Sequence, residues 1–105
     1  MPTYIYKIRP VRSDMLATGP TDAETAILGE HFEYLEKLTN EGQVYMAGRT
    51  QTEDDKTFGI VVFSADSDEA AKQLTVSDPA IRSGVMSYEL YPFGIALWSK
   101  RGIAE

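Results

Sequence analysis

Cysteine is absent from this chain of 105 residues, which excludes disulfides, thiolate nucleophiles and sulfur-ligated metal sites. Histidine and tryptophan occur once each. One imidazole among scattered carboxylates, with no His-x-x-x-His or Glu-x-x-His pair, is no metal-ligand set of the usual kind. Positive charge is scarce: 10 Lys and Arg face 16 Asp and Glu, a net charge of −6. That balance argues against nucleic acid, which needs a concentrated basic face, and against an anionic membrane surface. No stretch approaches the ~18 apolar residues of a membrane span. Met1 to Pro10 alternates polar and apolar residues and has no apolar run of signal-peptide type. The expected setting is the cytoplasm. No Gly-rich phosphate loop follows a strand, so no cofactor is expected.

What is present suits one domain with its own core. Hydrophobic residues make up 43% of the chain and charged residues 25%, ordinary values for a globular protein. The stretch from Thr21 to Glu41 organises the rest. Ile27, His31, Tyr34, Leu35 and Leu38 recur at the spacing of one helical face, so the only histidine lies in the apolar stripe. A titratable ring placed there needs a partner.

Taken in order, residues 3 to 9 read as a strand rich in Tyr and Ile, and Pro10 to Pro20 as a loop. Thr21 to Glu24 has the form of a capping box opening the helix, and Gly42 suits a left-handed cap at its end. Val44 to Arg49 and Thr57 to Ala65 read as strands, the second apolar on both faces and therefore central. Asp66 with Glu69 predicts a second capping box and a helix through Leu74. Asp78-Pro79 predicts a single turn with Asp as N-cap and Pro at the first position, ending at Gly84. Val85 to Tyr91 alternates into a last strand.

The order β-α-β-β-α-β predicts a ferredoxin-like α+β fold: a four-stranded antiparallel sheet with both helices on one face. The domain is expected over residues 1–93, with 94–105 a C-terminal tail packed on the domain or on a partner. The uncovered face is expected to carry Tyr4, Tyr6, Tyr45, Met46, Met86 and Tyr88, too much apolar surface to leave wet. A homodimer packed sheet to sheet, in the manner of dimeric α+β barrels, follows as the expectation.

His31 and Asp78 are the leading functional candidates. A carboxylate beside an imidazole fixes its tautomer and stabilises the imidazolium, which makes the histidine a useful base near neutral pH. The competing readings are a core histidine bonded to backbone and an aspartate that merely caps a helix. Arg49, after the small residues Ala47 and Gly48, suits bidentate binding of a carboxylate or phosphate, or else balances Glu53, Asp54 and Asp55. Arg82 is a similar, weaker candidate. Ser77 reads as a ligand contact or a capping accessory. Gly48 reads as room in the pocket, although close packing or positive φ is the preferred reading of both Gly48 and Gly84. The tyrosines 4, 6, 34 and 88 read as core and interface before they read as pocket lining.

Several stretches resemble the YciI-like (YCII-related) family of small dimeric ferredoxin-like proteins. They are His31 with Leu35 and Gly42, Val44 to Gly48, Gly59 to Ala65 with Ser67 to Ala71, Asp78-Pro79 with Gly84-Val85, and Tyr91 to Phe93. The resemblance spans Leu28 to Phe93 and implies that His31 and Asp78 form the active-site pair. Two positions depart from the pattern: Arg49 stands where the family usually has proline, and Ala80 where it usually has an aromatic residue. The resemblance therefore does not carry the pocket's shape or its substrate.

These residues suit a cofactor-independent enzyme that moves a proton beside a carbonyl or carboxylate: elimination, isomerisation or lyase chemistry on a small organic acid. The alternative is a non-catalytic dimeric module that binds a small metabolite or anion. A cofactor-free oxygenase rests on shared architecture alone, which does not imply function.

Overall fold

The computed structural model describes residues 1–12 and 14–103. The elements run β1 (Thr3–Pro10), α1 (Met15–Thr18), α2 (Asp22–Asn40), β2 (Val44–Arg49), β3 (Gly59–Ser64), α3 (Asp68–Val76), α4 (Pro79–Arg82) and β4 (Met86–Pro92). The strands form one four-stranded sheet in the order β2-β3-β1-β4, every neighbouring pair antiparallel. This is the ferredoxin-like α+β arrangement, with an open sheet and not a closed barrel. Among the described residues no helix is long and apolar enough to cross a membrane.

Local chemistry sets the ends of the helices. Thr21 accepts from the Glu24 amide at 3.1 Å while the Glu24 carboxylate accepts from the Thr21 amide at 2.8 Å, so both arms of the capping box are made. At the other end Gly42 has φ +84, and the Gln43 amide reaches Leu38 O while the Gly42 amide reaches Thr39 O. That pair of bonds is a Schellman cap, whose left-handed residue is easiest for glycine. The second long helix starts one residue later than Asp66 predicts. Its N-cap is Ser67, accepting from the Ala70 amide, and Asp68 is taken by the Tyr4 hydroxyl at 2.7 Å.

The expected loop from Pro10 to Pro20 contains the short α1, and Met15 there is buried. Arg12 pins the segment. Its guanidinium donates to both carboxylate oxygens of Glu24 (3.1 and 2.6 Å), to Asp14 (2.9 Å) and to Gly19 O (2.9 Å). One planar fork thus joins the end of β1 to the first turn of α2.

The core lies between the sheet and the helices. Tyr4, Tyr6 and Ile8 of β1 pack with Val61 and Phe63 of β3, Leu35 of α2, and Ala71 and Leu74 of α3. Met86, Tyr88 and Leu90 of β4 lean on the same cluster. This corrects the expected distribution of faces, because Tyr4, Tyr6, Met86 and Tyr88 belong to the helix side. The even-numbered positions of β1 and β4 are apolar throughout, whereas the odd ones include Lys7, Arg9, Ser87 and Glu89, so the even set takes the covered face. The open face instead carries Ile5, Met46, Ile60 and Val62, and the segment Phe93 to Trp98 runs against them. Trp98 approaches Tyr45 with ring centroids 6.3 Å apart. Nearby, the Lys7 ammonium sits 4.5 Å from the centre of the Phe58 ring.

The Arg12–Glu24 contact carries a pH signature. The guanidinium and the Thr21 amide lower the Glu24 carboxyl from 4.5 to about 2. A carboxyl depressed in the folded state adds stability above its unfolded pKa and loses it as pH falls through the folded one. The stability gap between wild type and Glu24→Gln, measured by urea unfolding, is therefore expected to be constant above about pH 5 and to close progressively between pH 4.5 and 2. A gap that is flat across that window would show that the fork carries no such linkage.

Candidate functional site

The site is built from three elements. His31 lies in the middle of α2, on the turn before Leu35, the buried residue of that helix. Asp78 is the N-cap of α4: Pro79 follows at the first helical position, and Oδ1 accepts from the Ala80 amide at 2.9 Å. Tyr6 is in β1, a central strand of the sheet. The first crossover, from β1 to β2, carries α2, and the second, from β3 to β4, carries α4. Both lie over the same sheet face, which brings together positions 47 apart in the chain.

The His31 Nδ1 is 2.7 Å from Oδ1 and 2.9 Å from Oδ2 of Asp78. The Asp78 side chain is fully buried, whereas 16% of the His31 side chain remains accessible. The Tyr6 hydroxyl donates to Oδ2 at 2.7 Å. The carboxylate thus accepts three hydrogen bonds, from a ring, a phenol and a backbone amide. An ionised carboxylate can only accept, so Nδ1 bears the hydrogen and the lone pair of the neutral ring is on Nε2. Asp78 is therefore both a helix cap and a histidine partner; the two roles use one carboxylate.

The tyrosines around the pair are locked as donors. Burial, and then the charge of Asp78, push the Tyr6 phenol far above the usual range. Tyr34 donates to Leu74 O at 2.6 Å, and burial followed by the Asp78 charge pushes it up to about 12, against an opposing pull from Arg82. Neither phenol acts as a base near neutral pH.

The other sequence-derived candidates are distributed unevenly. Arg82 ends α4 and is exposed, and its charge reaches Tyr34, beside the pair. Ser77 is exposed and caps α3 through its backbone amide, bonded to Gln73 O and Thr75 O. Gly48 pairs with Ile60 on the open face, opposite the pair, with no atom within 4 Å of where a Cβ would stand. It needs neither close packing nor positive φ, whereas Gly84 has φ +84. The glycine that packing requires is Gly59, where a Cβ would meet Ile8 Cγ1 and Gly48 O at 3.2 Å. Arg49 ends β2 opposite Gly59. Among the described residues its guanidinium makes no hydrogen bond or ion pair, with His31 and Asp78 or with any other. Among the described residues Glu53, Asp54 and Asp55 form no ion pair with it. Among the described residues no three His, Cys, Asp or Glu side chains converge as metal ligands.

Over residues 6–94 the chain matches the YCII-related domain. It belongs to that family. Among solved structures it is similar to the 5-chloro-2-hydroxyhydroquinone dehydrochlorinase of Burkholderia phenoliruptrix AC1100, determined in complex with 2,5-dihydroxybenzoquinone. The two share 19% identity at a TM-score of 0.61, over 87% of this chain and 93% of that one. At that identity the likeness is one of fold. No curated protein sequence matches the chain. Tyr6 is the member of this YCII-related site that patterning does not single out. Its one signal is that a tyrosine in an otherwise apolar register must find an acceptor for its hydroxyl.

The clamp on Nδ1 makes two checkable statements. Nitrogen-15 NMR of the neutral His31 ring is expected to show Nδ1 protonated and Nε2 bare. Asp78→Ala is expected to lose that tautomer and to cost about 2–4 kcal/mol in urea unfolding, from a lost cap and a buried phenol left without an acceptor. A protonated Nε2 in the wild type would show that the carboxylate does not set the ring.

Proposed function

We propose that this YCII-related protein is a small enzyme of the cytoplasm that needs no cofactor and uses His31 as its general base and acid. Its substrate on this reading is a small organic anion, and its chemistry is elimination, isomerisation or a related lyase reaction. One observation carries the reading: a solvent-accessible imidazole has Nδ1 held by a fully buried, triply hydrogen-bonded carboxylate. That arrangement leaves Nε2 free to take a proton and stabilises the imidazolium once it has done so. The structural neighbour supports the direction, since that protein is a dehydrochlorinase.

In the elimination form, Nε2 removes a proton from the carbon next to a carbonyl or carboxylate. The electron pair of that C–H bond becomes a C=C bond as the leaving group departs with its own pair from the adjacent carbon. The imidazolium then gives its proton to water or to the product. Arg82, near the pair, and Arg49, at the end of β2, are the cations proposed to hold the anion, with Ser77 a further contact. Gly48, on the far face, leaves room along β2. We also infer a homodimer through the open sheet face, supported by the exposed Tyr45, Met46, Tyr91, Phe93 and Trp98. Sedimentation equilibrium is expected to give the mass of two chains.

Proton NMR in D2O tests the chemistry, with a panel of small 2-oxo and 3-halo acids and chlorinated hydroxyhydroquinones. The expected result is exchange of the proton next to the carbonyl, or release of halide. His31→Gln is expected to slow it by about 10²–10⁴-fold while ligand binding, followed by calorimetry, survives. Binding without exchange or release in the wild type would favour the non-catalytic module, a reading that Arg49, without an ion-pair partner among the described residues, also fits.

A further inference from the structure

The third donor on Asp78 invites a role of its own. Tyr6 is completely buried, and its ring meets Phe63 edge-on with centroids 5.8 Å apart. Its hydroxyl has one partner, Oδ2 of Asp78 at 2.7 Å, on the side of the carboxylate away from the helix-capping bond to Ala80, which uses Oδ1. Among the described residues no buried side-chain polar atom is left without a partner, so this hydroxyl is fully committed to the carboxylate. Nothing about helix capping or strand pairing requires it: a phenylalanine would fill the same core position and meet Phe63 in the same way.

We propose that Tyr6 is a positioning residue of the His31–Asp78 pair, its hydroxyl setting how much of the carboxylate's negative charge is left to hold the Nδ1–H of His31. The inference rests on the reading of His31 as the general base. A carboxylate shares a fixed charge among its donors. A strong donor on Oδ2 draws density away from the contact with His31, and its removal returns that density to the ring. The strand also fixes where the charge lies. Tyr6 sits in β1 between β3 and β4, paired with Val61 and Leu90, and β1 does not move relative to its neighbours without breaking both ladders. The phenol therefore references the carboxylate to the centre of the sheet, and the carboxylate in turn references the ring of α2. Burial and the Asp78 charge keep the phenol protonated throughout the working range, so it remains a donor in every step.

The test reads the Nδ1–H proton of the full-length protein by NMR and needs no substrate. In Tyr6→Phe the resonance is expected to move downfield, because the remaining bond to Asp78 strengthens. A side chain that only fills space predicts something else: no change, or an upfield, exchange-broadened line from a loosened site. Either of those results overturns the proposal. Should Tyr6→Phe fail to fold, 3-fluorotyrosine introduced at position 6 keeps the ring and makes the phenol a stronger donor, and the same resonance is expected to move upfield. No movement there also overturns it. A wild-type ring protonated on Nε2 would instead remove the base itself, so failure of the general-base reading is distinguishable from failure of the role given to Tyr6.

Discussion

A carboxylate taken completely out of water needs every lone pair it offers to be met, and at Asp78 that requirement draws three elements to one point. The Ala80 amide comes from the start of α4, the Tyr6 hydroxyl from β1, and Nδ1 of His31 from the middle of α2. Losing any donor leaves buried charge short of a partner, a cost of about 1–3 kcal/mol or more. Those donors cannot be met one at a time by local structure, because the residues lie 72 and 47 positions from the aspartate. The network thus couples the packing of the first crossover helix to the second, and the position of the imidazole follows from it.

The two faces of the sheet divide the remaining work. The helix side holds nearly all of the core and the buried polar atoms of the site. The open side holds Ile5, Met46, Ile60 and Val62 beneath the Phe93–Trp98 segment, with Lys7 and Arg9 laid along Phe58. The two cationic heads stand over the face of the Phe58 ring, so the charge on this side is held against an aromatic surface beside the apolar centre.

Much of this was legible in the sequence, for identifiable reasons. The capping box at Thr21 and Glu24, the left-handed Gly42 and the Asp-Pro opening of α4 are local devices, and local chemistry is written in adjacent letters. Element order alone was enough for the ferredoxin-like sheet, and the apolar stripe was enough to place His31 beside a carboxylate-sized problem. The misplaced faces of β1 and β4 had a different origin. Reading the large aromatic residues onto the side that the two helices leave uncovered overlooks the charged Lys7, Arg9 and Glu89 in the alternate register, which point the other way. The Arg12 fork and the Tyr6 contact were not legible, since each depends on a chain reversal or a pairing register that no window of sequence contains.

The dual use of Asp78 also bears on how such a site persists on this fold. Had the aspartate only capped α4, asparagine or serine would serve nearly as well, and nothing would demand its complete burial or a phenol on its second oxygen. Had it only oriented His31, it would not need to sit at the first turn of a helix whose following proline holds the backbone in place. Because both are satisfied by one side chain, the rigidity of the turn is transmitted to the ring: Pro79 fixes the backbone, the Ala80 amide fixes Oδ1, and Tyr6 fixes Oδ2. His31 then meets a carboxylate with no rotational freedom left. On the proposed general-base reading, an imidazole held that way would lose less on the approach to a transition state than one that must find its partner first, so the preorganisation would matter more there than the bare presence of a histidine.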